Sequence, residues 1–364
     1  MKFSFLCLPF LSLFLIKMCP NQASSTADSK QNTASNDTLL TVSPTVSTSE
    51  KMTGLTFVAI PKPFKTAVMQ DVRSYNAAWI AVIPYGYTMI KQPSVKFGGD
   101  SWQWWGETTD GIRTTIDSAH RAGIHVLLKP QVYVPYGWTG SLDFETDADW
   151  AKWEADYERY LMNFVDIAAE KRVEALCVGT EFKIGAVRRE AFWRGLIARI
   201  RVKFKGKLTY AANWDEFPNM PFWDALDFVG INAYMPLSDA ATPSVAELKT
   251  AWQPHFETIK NFQAKIKKPV AFTEFGYMSV DGCAGKGWEV ESKVKSLKIN
   301  ELAQANALDA LYGTFWKEAW WLGGFLWKWF PEGEGHEGYV ERDYTPQNKQ
   351  AAAVVRKWYG GKGN

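Results

Sequence analysis

From residue 54 onward, short apolar runs alternate along the chain with longer amphipathic stretches. Eight of these runs are rich in β-branched and aromatic residues, as expected for parallel strands that are covered on both faces. They predict strands over 55–60, 79–83, 125–130, 175–179, 208–212, 228–232, 270–273 and 325–329.

The stretches between the runs predict helices. The clearest covers 147–171, where Trp150, Trp153 and Tyr157 recur at three- and four-residue spacing. The other predicted helices cover 111–122, 188–204, 245–266, 300–321 and 346–358. Strands that alternate with helices in this way favour the α/β class and a (β/α)8 TIM barrel, in one domain over 51–364. No GxGxxG motif follows the first run and no P-loop motif occurs, which argues against nucleotide-binding folds.

The first 50 residues have a different pattern. Lys2 precedes an apolar stretch too short to span a bilayer, which predicts a signal peptide over 1–19. Cys19 directly follows, so lipid attachment there and simple cleavage after Ala23 both remain open. Residues 20–50 are rich in Ser and Thr, which predicts a disordered linker. We therefore expect a secreted, periplasmic or cell-surface domain that meets a membrane only through a lipid anchor.

Composition narrows the choice of partners. Lys and Arg number 41 against 39 Asp and Glu, without a basic stripe, so nucleic acid is not an expected partner. The 18 tryptophans include core residues, but so many also suit a protein that stacks sugar rings on indoles. The histidines lack HxxxH or HxH spacing and the cysteines contain no CxxC pair, so no metal or other cofactor is expected. A Cys177–Cys283 disulfide is not favoured, because Cys177 lies within a strand-like run.

Two glutamates follow strands in matching settings. Glu181 follows the fourth predicted strand and Glu274 the seventh, each within the sequence Thr-Glu-Phe. In a TIM barrel the carboxyl ends of the strands form the open face that holds catalytic groups. A lone glutamate there is most simply a structural ion pair, but two at matched strand ends favour a catalytic pair. Glycoside hydrolysis uses such a pair, with one carboxyl protonated and the other ionised.

The segments GTEF (179–182), TEFGY (273–277) and WKW (327–329) resemble glycoside hydrolase family 113 of clan A, and the resemblance spans nearly all of 54–359. It implies that Glu181 is the acid/base and Glu274 the nucleophile. Members of the family are mainly β-1,4-mannanases, which implies mannan as the substrate. In the wider clan an Asn that contacts the sugar 2-hydroxyl precedes the acid/base. Here that position holds Thr180, a form that looks like the family's own variant.

The resemblance also implies roles for two aromatic residues. Tyr234 would donate a hydrogen bond to the nucleophile, and Trp327 would floor the subsite of the cleaved sugar. Trp329 is expected to lie deeper in the barrel or under a loop. Other side chains at the strand ends could contact sugar hydroxyls, stack on the sugar or simply fill the rim: Tyr85, Lys129, Gln131, Asn213, Trp214 and Asn232.

The loop after the second predicted strand contains three indoles, those of Trp102, Trp104 and Trp105. An exposed apolar cluster usually marks a binding surface, so we expect at least one of them, Trp104 among the candidates, in the cleft. The alternative is that they pack on the next helix. His336, in the loop after the last strand, is at best a subsite residue.

These features predict a retaining glycoside hydrolase that cleaves β-1,4-mannosidic bonds in mannan-type polysaccharides or oligosaccharides, as a monomer without a cofactor. Another β-glycan specificity, such as glucan or xylan, remains open because epimers differ by one hydroxyl. Endo and exo action also remain open. A surface protein that binds glycan without cutting it would have no use for opposed carboxylates. A structural envelope protein would not explain the Trp-rich mouth.

Overall fold

A computed structural model describes residues 51–64, 68–98, 103–333 and 338–361. Eight parallel strands close into a barrel, so the predicted (β/α)8 TIM barrel is confirmed. Around the barrel the strand order is β1-β10-β9-β8-β7-β6-β4-β2. The barrel strands are β1 (Met52–Phe57), β2 (Trp79–Val82), β4 (His125–Leu128), β6 (Ala175–Thr180), β7 (Lys207–Asn213), β8 (Val229–Asn232), β9 (Val270–Phe275) and β10 (Trp321–Trp329).

Helices cover the outer face of the barrel. Thr146 and Ser244 begin the two longest, and each hydroxyl accepts a hydrogen bond from an N–H of the first turn; at Ser244 a reciprocal bond with Glu247 completes a capping box. The helices are α1 (Val68–Ser74), α2 (Thr109–Arg121), α3 (Asp147–Glu170), α4 (Lys183–Arg188), α5 (Glu190–Lys203), α6 (Val245–Ile266), α7 (Gly287–Lys293), α8 (Glu301–Phe315) and α9 (Ala351–Tyr359). In the part of the chain that the structure describes, no helix is both long and apolar enough to cross a bilayer.

The strands are almost wholly buried, because one face fills the barrel and the other meets the helices. A small inner cluster that includes Met52, Trp79 and Phe325 fills the barrel interior, and a larger cluster lies between the strands and the helices. Cys177 and Cys283 are separate buried thiols. The buried residues also include polar ones, among them Lys129 and Glu274, which lie where strands reach the open face.

The prediction of a helix over 300–321 was wrong at its end. The helix α8 stops at Phe315, and β10 already begins at Trp321. Gly323 and Gly324 let β10 lie close to its neighbours: a Cβ on Gly323 would lie 2.6 Å from the Met52 carbonyl oxygen. Residues 316–320 therefore form a turn that leads into β10, although the four-residue spacing of Trp316 and Trp320 also fits a helix.

Two short strands outside the barrel were not predicted. They are β3 (Tyr85–Tyr87) and β5 (Gln131–Tyr133), which pair in parallel just beyond β2 and β4. The buried Tyr160 hydroxyl lies 2.8 Å from the carbonyl oxygens of both Pro84 and Gln131, and so ties this small sheet to α3. The small sheet extends one wall of the barrel past its mouth.

The predicted signal peptide and linker, with Cys19, lie outside the described residues, as do Trp102 and His336. The expectations for them stay predictions.

Candidate active site

A cleft of about 590 Å³ opens at the mouth of the barrel, where the carboxyl ends of the strands meet. Both Glu181 and Glu274 line it. Much of the remaining wall is aromatic, from Tyr85, Tyr133, Trp138, Trp214, Tyr234, Trp288, Trp327 and Tyr344. An apolar cleft with a few convergent polar groups is typical of a binding site for a small molecule or a glycan.

Glu181 is the first residue past β6 and has a left-handed backbone, with φ of 55°. This conformation is uncommon for a residue with a side chain, and such strain concentrates at functional sites. Hydrogen bonds hold the turn: the Glu181 N–H donates to the Ala211 carbonyl at 2.9 Å, and the Phe182 N–H donates to the Tyr210 hydroxyl at 2.6 Å. The turn lets the chain leave the strand while the Glu181 carboxyl stays in the cleft.

Two neutral donors bind the Glu181 carboxyl group. The Trp138 indole N–H donates to Oε2 at 2.7 Å, and the Asn232 amide donates to Oε1 at 2.8 Å. Burial and, after it, the negative charge of Glu274 raise the pKa of Glu181, while these two donors oppose the shift. The raised pKa keeps Glu181 protonated further toward neutral pH, as a proton donor requires.

Glu274 lies within β9 and has a different set of neighbours. Its Oε1 contacts the Lys129 ammonium group and accepts a hydrogen bond from the Gln131 amide at 2.6 Å. Its Oε2 accepts a hydrogen bond from the Tyr234 hydroxyl at 3.0 Å. A cation and two neutral donors therefore orient this carboxylate. Glu274 is only 7% exposed, and the Lys129 ammonium group compensates its negative charge.

Tyr234 keeps its proton and can act as a donor. Burial and the nearby charge of Glu274 raise the pKa of its phenol. Tyr344 packs edge-on against the Tyr234 ring, with 6.4 Å between centroids, and helps to fix its orientation.

The family model for Glycoside Hydrolase Family 113 matches residues 63–349 of the chain. This chain belongs to glycoside hydrolase family 113. It is therefore a glycoside hydrolase, and the resemblance seen in its sequence motifs is confirmed. No curated protein matches the chain by sequence.

Solved structures agree with this family. The GH113 β-mannanase AaManA from Alicyclobacillus acidocaldarius, in complex with ManMIm, is 25% identical with a TM-score of 0.74, over 86% of this chain and 98% of that one. A GH113 β-1,4-mannanase is 24% identical with a TM-score of 0.72, over 85% of this chain and 99% of that one. A Ruminococcus gnavus β-glucuronidase at 15% identity and a TM-score of 0.58, over 85% of this chain and 50% of that one, shares the fold alone.

Most of the predicted site residues of this family 113 chain come together. Six of the candidates line the cleft beside the two glutamates: Tyr85, Asn213, Trp214, Asn232, Tyr234 and Trp327. Gln131 lines it as well and binds Glu274. Trp329 is buried and packs edge-on against Tyr75, with 4.6 Å between centroids.

Two candidates lie elsewhere. Lys129 is fully buried, so it does not line the cleft and instead contacts Glu274 from below. Trp104 does not line the cleft either. It precedes a short 3-10 helix whose Gly106 N–H binds the Ile60 carbonyl at 2.9 Å, and Trp105 packs against Phe64. Neither of the two indoles that the structure describes in this loop lies in the cleft, so the expectation of one there is not met by them. Trp105 packs against the segment after β1, whereas the alternative placed these indoles on the next helix.

Sequence reasoning missed several aromatic residues of this glycoside hydrolase. Trp138 follows β5, Trp288 lies on α7, and Tyr344 lies between β10 and α9. All three line the cleft from loops on the open face of the barrel. The one available signal was an aromatic residue in a strand-to-helix connection, and this signal does not separate cleft residues from residues that pack under loops.

Proposed function

We propose that this glycoside hydrolase cleaves β-1,4-mannosidic bonds with retention of configuration, with Glu274 as the nucleophile and Glu181 as the acid/base. The observation that supports these roles is the contrast between the two carboxyl groups in one cleft. Glu274 accepts from Lys129 and two neutral donors, whereas Glu181 meets neutral donors alone and its pKa is raised. Retaining enzymes use one ionised and one protonated carboxyl group.

In the first step, a Glu274 oxygen forms a bond to the anomeric carbon as the glycosidic bond breaks. The proton of Glu181 moves to the departing oxygen, so the leaving sugar departs as a neutral alcohol. Trp327, from β10, would support the ring of the sugar being cleaved, and Tyr234 and Gln131 hold the attacking carboxylate in line.

In the second step, water hydrolyses the glycosyl-enzyme. Bonding to the sugar removes the negative charge of Glu274, and with it one of the two causes of the raised pKa of Glu181. The pKa of Glu181 therefore falls, and Glu181 stays ionised after giving up its proton. In this form it acts as the general base that takes a proton from the water attacking the anomeric carbon. Glu274 leaves as a carboxylate and the site returns to its first state.

Mannan is the substrate best supported. The family and its β-mannanase structures at about 25% identity point to it. The competing specificities are other β-glycans on the same barrel, since one hydroxyl separates mannose from its epimers. A protein that only binds glycan would not need a buried lysine against a carboxylate in its cleft, because burying such a pair is costly.

The test combines a substrate panel with stereochemistry. The purified protein is incubated with mannan, glucomannan, galactomannan, β-glucan and xylan, and new reducing ends are measured. Proton NMR during the first minutes then identifies the anomer released. We expect cleavage of the mannans and β-configured product. An α-configured first product would contradict retention, cleavage of glucan or xylan alone would contradict the specificity, and no cleavage would favour a binding protein.

We also propose that residues 1–19 direct export and that 20–50 form a linker, which fits an enzyme whose polymeric substrate lies outside the cytoplasm. Mass spectrometry of the mature protein from its producing cell tests this. A lipid on Cys19 would establish a membrane anchor. A mature protein that starts near residue 24 would establish a secreted form without a lipid, and an intact Met1 would contradict export.

A further inference from the structure

The segment that carries Tyr344 is held by buried polar side chains that the mechanism above does not use. This segment, residues 341–345, lies in the connection between β10 and α9. Gln304, on α8, is fully buried, and its amide group donates to the carbonyl oxygens of Tyr277 and Tyr344, at 2.9 Å to each. The other oxygens bonded by this nitrogen are backbone carbonyls too, so only the donor end of a glutamine side chain fits there. One amide therefore ties the chain after β9 to the segment that carries Tyr344.

Ser279 makes a second connection of the same kind. It is fully buried, its hydroxyl donates to the Glu341 carbonyl at 2.8 Å, and its N–H group donates to the Arg342 carbonyl at 3.1 Å. Like Tyr277, Ser279 belongs to the chain that leaves β9 after Glu274. The segment 341–345 is therefore bound to the continuation of the strand that delivers the proposed nucleophile.

A buried ion pair ties the same segment to β10. Asp343 is buried, and its Oδ1 accepts a hydrogen bond from the Tyr344 N–H at 2.6 Å. Its Oδ2 lies 3.5 Å from the ammonium group of Lys328, which directly follows Trp327 in β10. Burying a lysine and an aspartate costs free energy that an apolar contact would not cost. Such a pair is therefore better suited to fixing one arrangement of the chain than to adding stability.

These connections fix the position of the Tyr344 ring. A Cβ on Gly276, just past the end of β9, would lie 3.2 Å from the Tyr344 Cδ1 atom, so the ring packs closely on the backbone there. The Tyr344 ring meets the Tyr234 ring edge-on, and the Tyr234 hydroxyl donates to Glu274 Oε2 at 3.0 Å. A path of direct contacts thus leads from Gln304 through the two tyrosines to the carboxylate.

We propose that Gln304 is a positioning residue for the nucleophile. Its amide fixes the backbone of Tyr344, whose ring holds the Tyr234 ring, and the Tyr234 hydroxyl keeps the Glu274 carboxylate in line with the anomeric carbon. Gln304 is fully buried and does not line the cleft, so its effect on the reaction must pass through other residues. This inference rests on the proposed function, because it takes Glu274 as the nucleophile. Loss of the Gln304 amide should slow the attack of Glu274 and leave sugar binding nearly unchanged.

The first experiment measures how fast 2-deoxy-2-fluoro-β-mannosyl fluoride labels the enzyme at rising concentrations. Mass spectrometry follows the labelled protein, and peptide mapping identifies the labelled residue. Fluoride departs without protonation, so the maximal labelling rate reports on the nucleophile and not on the acid. Gln304→Met has a side chain of similar length without a donor. Its maximal rate should fall about tenfold, while the half-maximal reagent concentration stays within about twofold of the parent enzyme.

The matched control is Asn306→Leu. Asn306 lies on the same helix as Gln304, and its amide donates to the Pro243 carbonyl at 3.0 Å. Neither Asn306 nor Pro243 lines the cleft. The control therefore loses a comparable amide–carbonyl bond away from the proposed path, and its maximal labelling rate should stay within about twofold of the parent enzyme.

The second experiment separates positioning from a general loosening of the fold. Tyr234→Phe removes the hydroxyl through which the proposed path acts. When Gln304→Met is added to Tyr234→Phe, the labelling rate should stay within about twofold of Tyr234→Phe alone, because the orientation that Gln304 supports is already lost. A general loosening would instead lower the rate by the same factor in both backgrounds. Losses that multiply in this way, or equal labelling rates in Gln304→Met and Asn306→Leu, would overturn the proposal.

Thermal melting checks that each variant is folded. If Gln304→Met has lost its cooperative melt, Tyr344→Leu takes its place in the same double-variant test, since it removes the ring and keeps the backbone hydrogen bonds. Tyr344 lines the cleft, but the loss of a sugar contact would multiply with Tyr234→Phe, whereas the loss of a support for Tyr234 would not. If the parent enzyme is labelled at Glu274 and the losses multiply, this inference alone fails. If the parent is not labelled at Glu274, the proposed function fails and this inference fails with it.

Discussion

The segments 180–182 and 273–275 contain the same three residues, Thr-Glu-Phe, and deliver them to the same cleft with different backbones. Glu274 stays in the extended strand β9, while Glu181 comes one residue after β6 ends and has a left-handed φ of 55°. Asn232 lies between the two segments. Its amide donates to Glu181, and its Oδ1 accepts from the Thr273 hydroxyl at 2.9 Å.

The difference lies in what surrounds each carboxyl group. Around Glu274 are a lysine, an amide and a phenol, all of them donors. Around Glu181 are two neutral donors, and Glu274 itself adds a negative charge that raises the pKa of Glu181. The same motif thus has two electrostatic environments, because other parts of the chain supply different partners, and the two proposed roles require such a difference. The following substitutions test this contrast.

Removing the carboxyl groups should give the largest effects and should distinguish the roles. Glu274→Ala should lower turnover of polysaccharide at least about a hundredfold, because the covalent bond can no longer form. Added azide should restore part of the turnover by occupying the vacated space, and it should give a glycosyl azide of inverted configuration. Rates are measured with reducing-end and aryl-glycoside assays, and the azide product is identified by NMR.

Glu181→Ala should fail differently. It should lose at least about a hundredfold on polysaccharide but retain a first step on an activated aryl glycoside, which leaves without protonation. The glycosyl-enzyme should then accumulate, which mass spectrometry detects, and azide should speed its breakdown with retained configuration. Interchanged azide products would reverse the two roles. Less than a hundredfold loss in both variants would remove the site assignment altogether.

Removing the charge beside Glu274 should weaken the nucleophile without removing it. In Lys129→Met the carboxylate loses its cation in a buried site, so we expect glycosyl-enzyme formation to slow by about a hundredfold, measured by the rate of fluorosugar labelling. Lys349→Met is the matched control, because Lys349 is similarly buried but donates to the Asp343 carbonyl at 2.7 Å. Both variants should be less stable. Equal labelling rates in the two would show that Lys129 has only a structural role.

Removing a hydrogen-bond donor to Glu181 should change the pH dependence of kcat/KM more than its value at the optimum pH. The Trp138 hydrogen bond lowers the pKa of Glu181, so Trp138→Phe should raise it. The basic limb of kcat/KM on mannohexaose, where Glu181 loses its proton, should then move to higher pH, with a loss of less than about tenfold at the optimum. Ser141→Ala is the control, because the Ser141 hydroxyl holds the same loop through the Trp138 carbonyl. An unmoved limb in Trp138→Phe, or an equal shift in both, would contradict the assigned contact.

The sequence allowed the barrel to be predicted because the strands are buried on both faces, which leaves an unmistakable run of apolar residues. It did not allow β3 and β5 to be predicted, since three-residue strands have too little pattern. The error at residues 316–321 has a similar origin. Trp316 and Trp320 continue the four-residue spacing of a helix past the end of α8, and only the contacts of β10 with β1 and β9 show that the chain turns into a strand there.

The residues of the candidate site were also predictable only in part. Asn232, at the end of a predicted strand, could be placed at the mouth because barrel geometry puts strand ends there, whereas the family resemblance implied the place of Trp327. The other partner of Glu181 could not be placed, because Trp138 comes from a loop 43 residues away whose path depends on tertiary contacts. Lys129 was a candidate either for contact with the sugar or for packing at the rim, and its side chain turns inward to Glu274. Glu216 gave no signal at all, since it follows Trp214 and Asp215 in what reads as a solvated loop.

The smallest expected effect concerns Glu216 and is measured as a change in the stability of the folded protein. It is 3% exposed, its Oε1 accepts from the Asn213 N–H at 2.8 Å, and its Oε2 has no hydrogen-bond partner among the described residues. Burial and then the charge of Glu181 raise the pKa of Glu216 from 4.5 to about 8. The folded protein therefore keeps this proton between about pH 4.5 and 8, while the unfolded chain releases it, and stability falls as the pH rises through that window.

Glu216→Gln has no proton to lose, so it should remove this part of the pH dependence. The Tm of the variant relative to the parent should increase by a few degrees between pH 5 and pH 8, measured by differential scanning calorimetry in buffers of equal ionic strength. Glu257→Gln, at an exposed position on α6, controls for the loss of one carboxyl group and should show no such trend. A Tm difference that is constant across the range would mean that Glu216 is ionised in the folded protein. A buried negative charge would then lie near Glu181 in addition to that of Glu274, and it would have to be included in the contrast between the two glutamates.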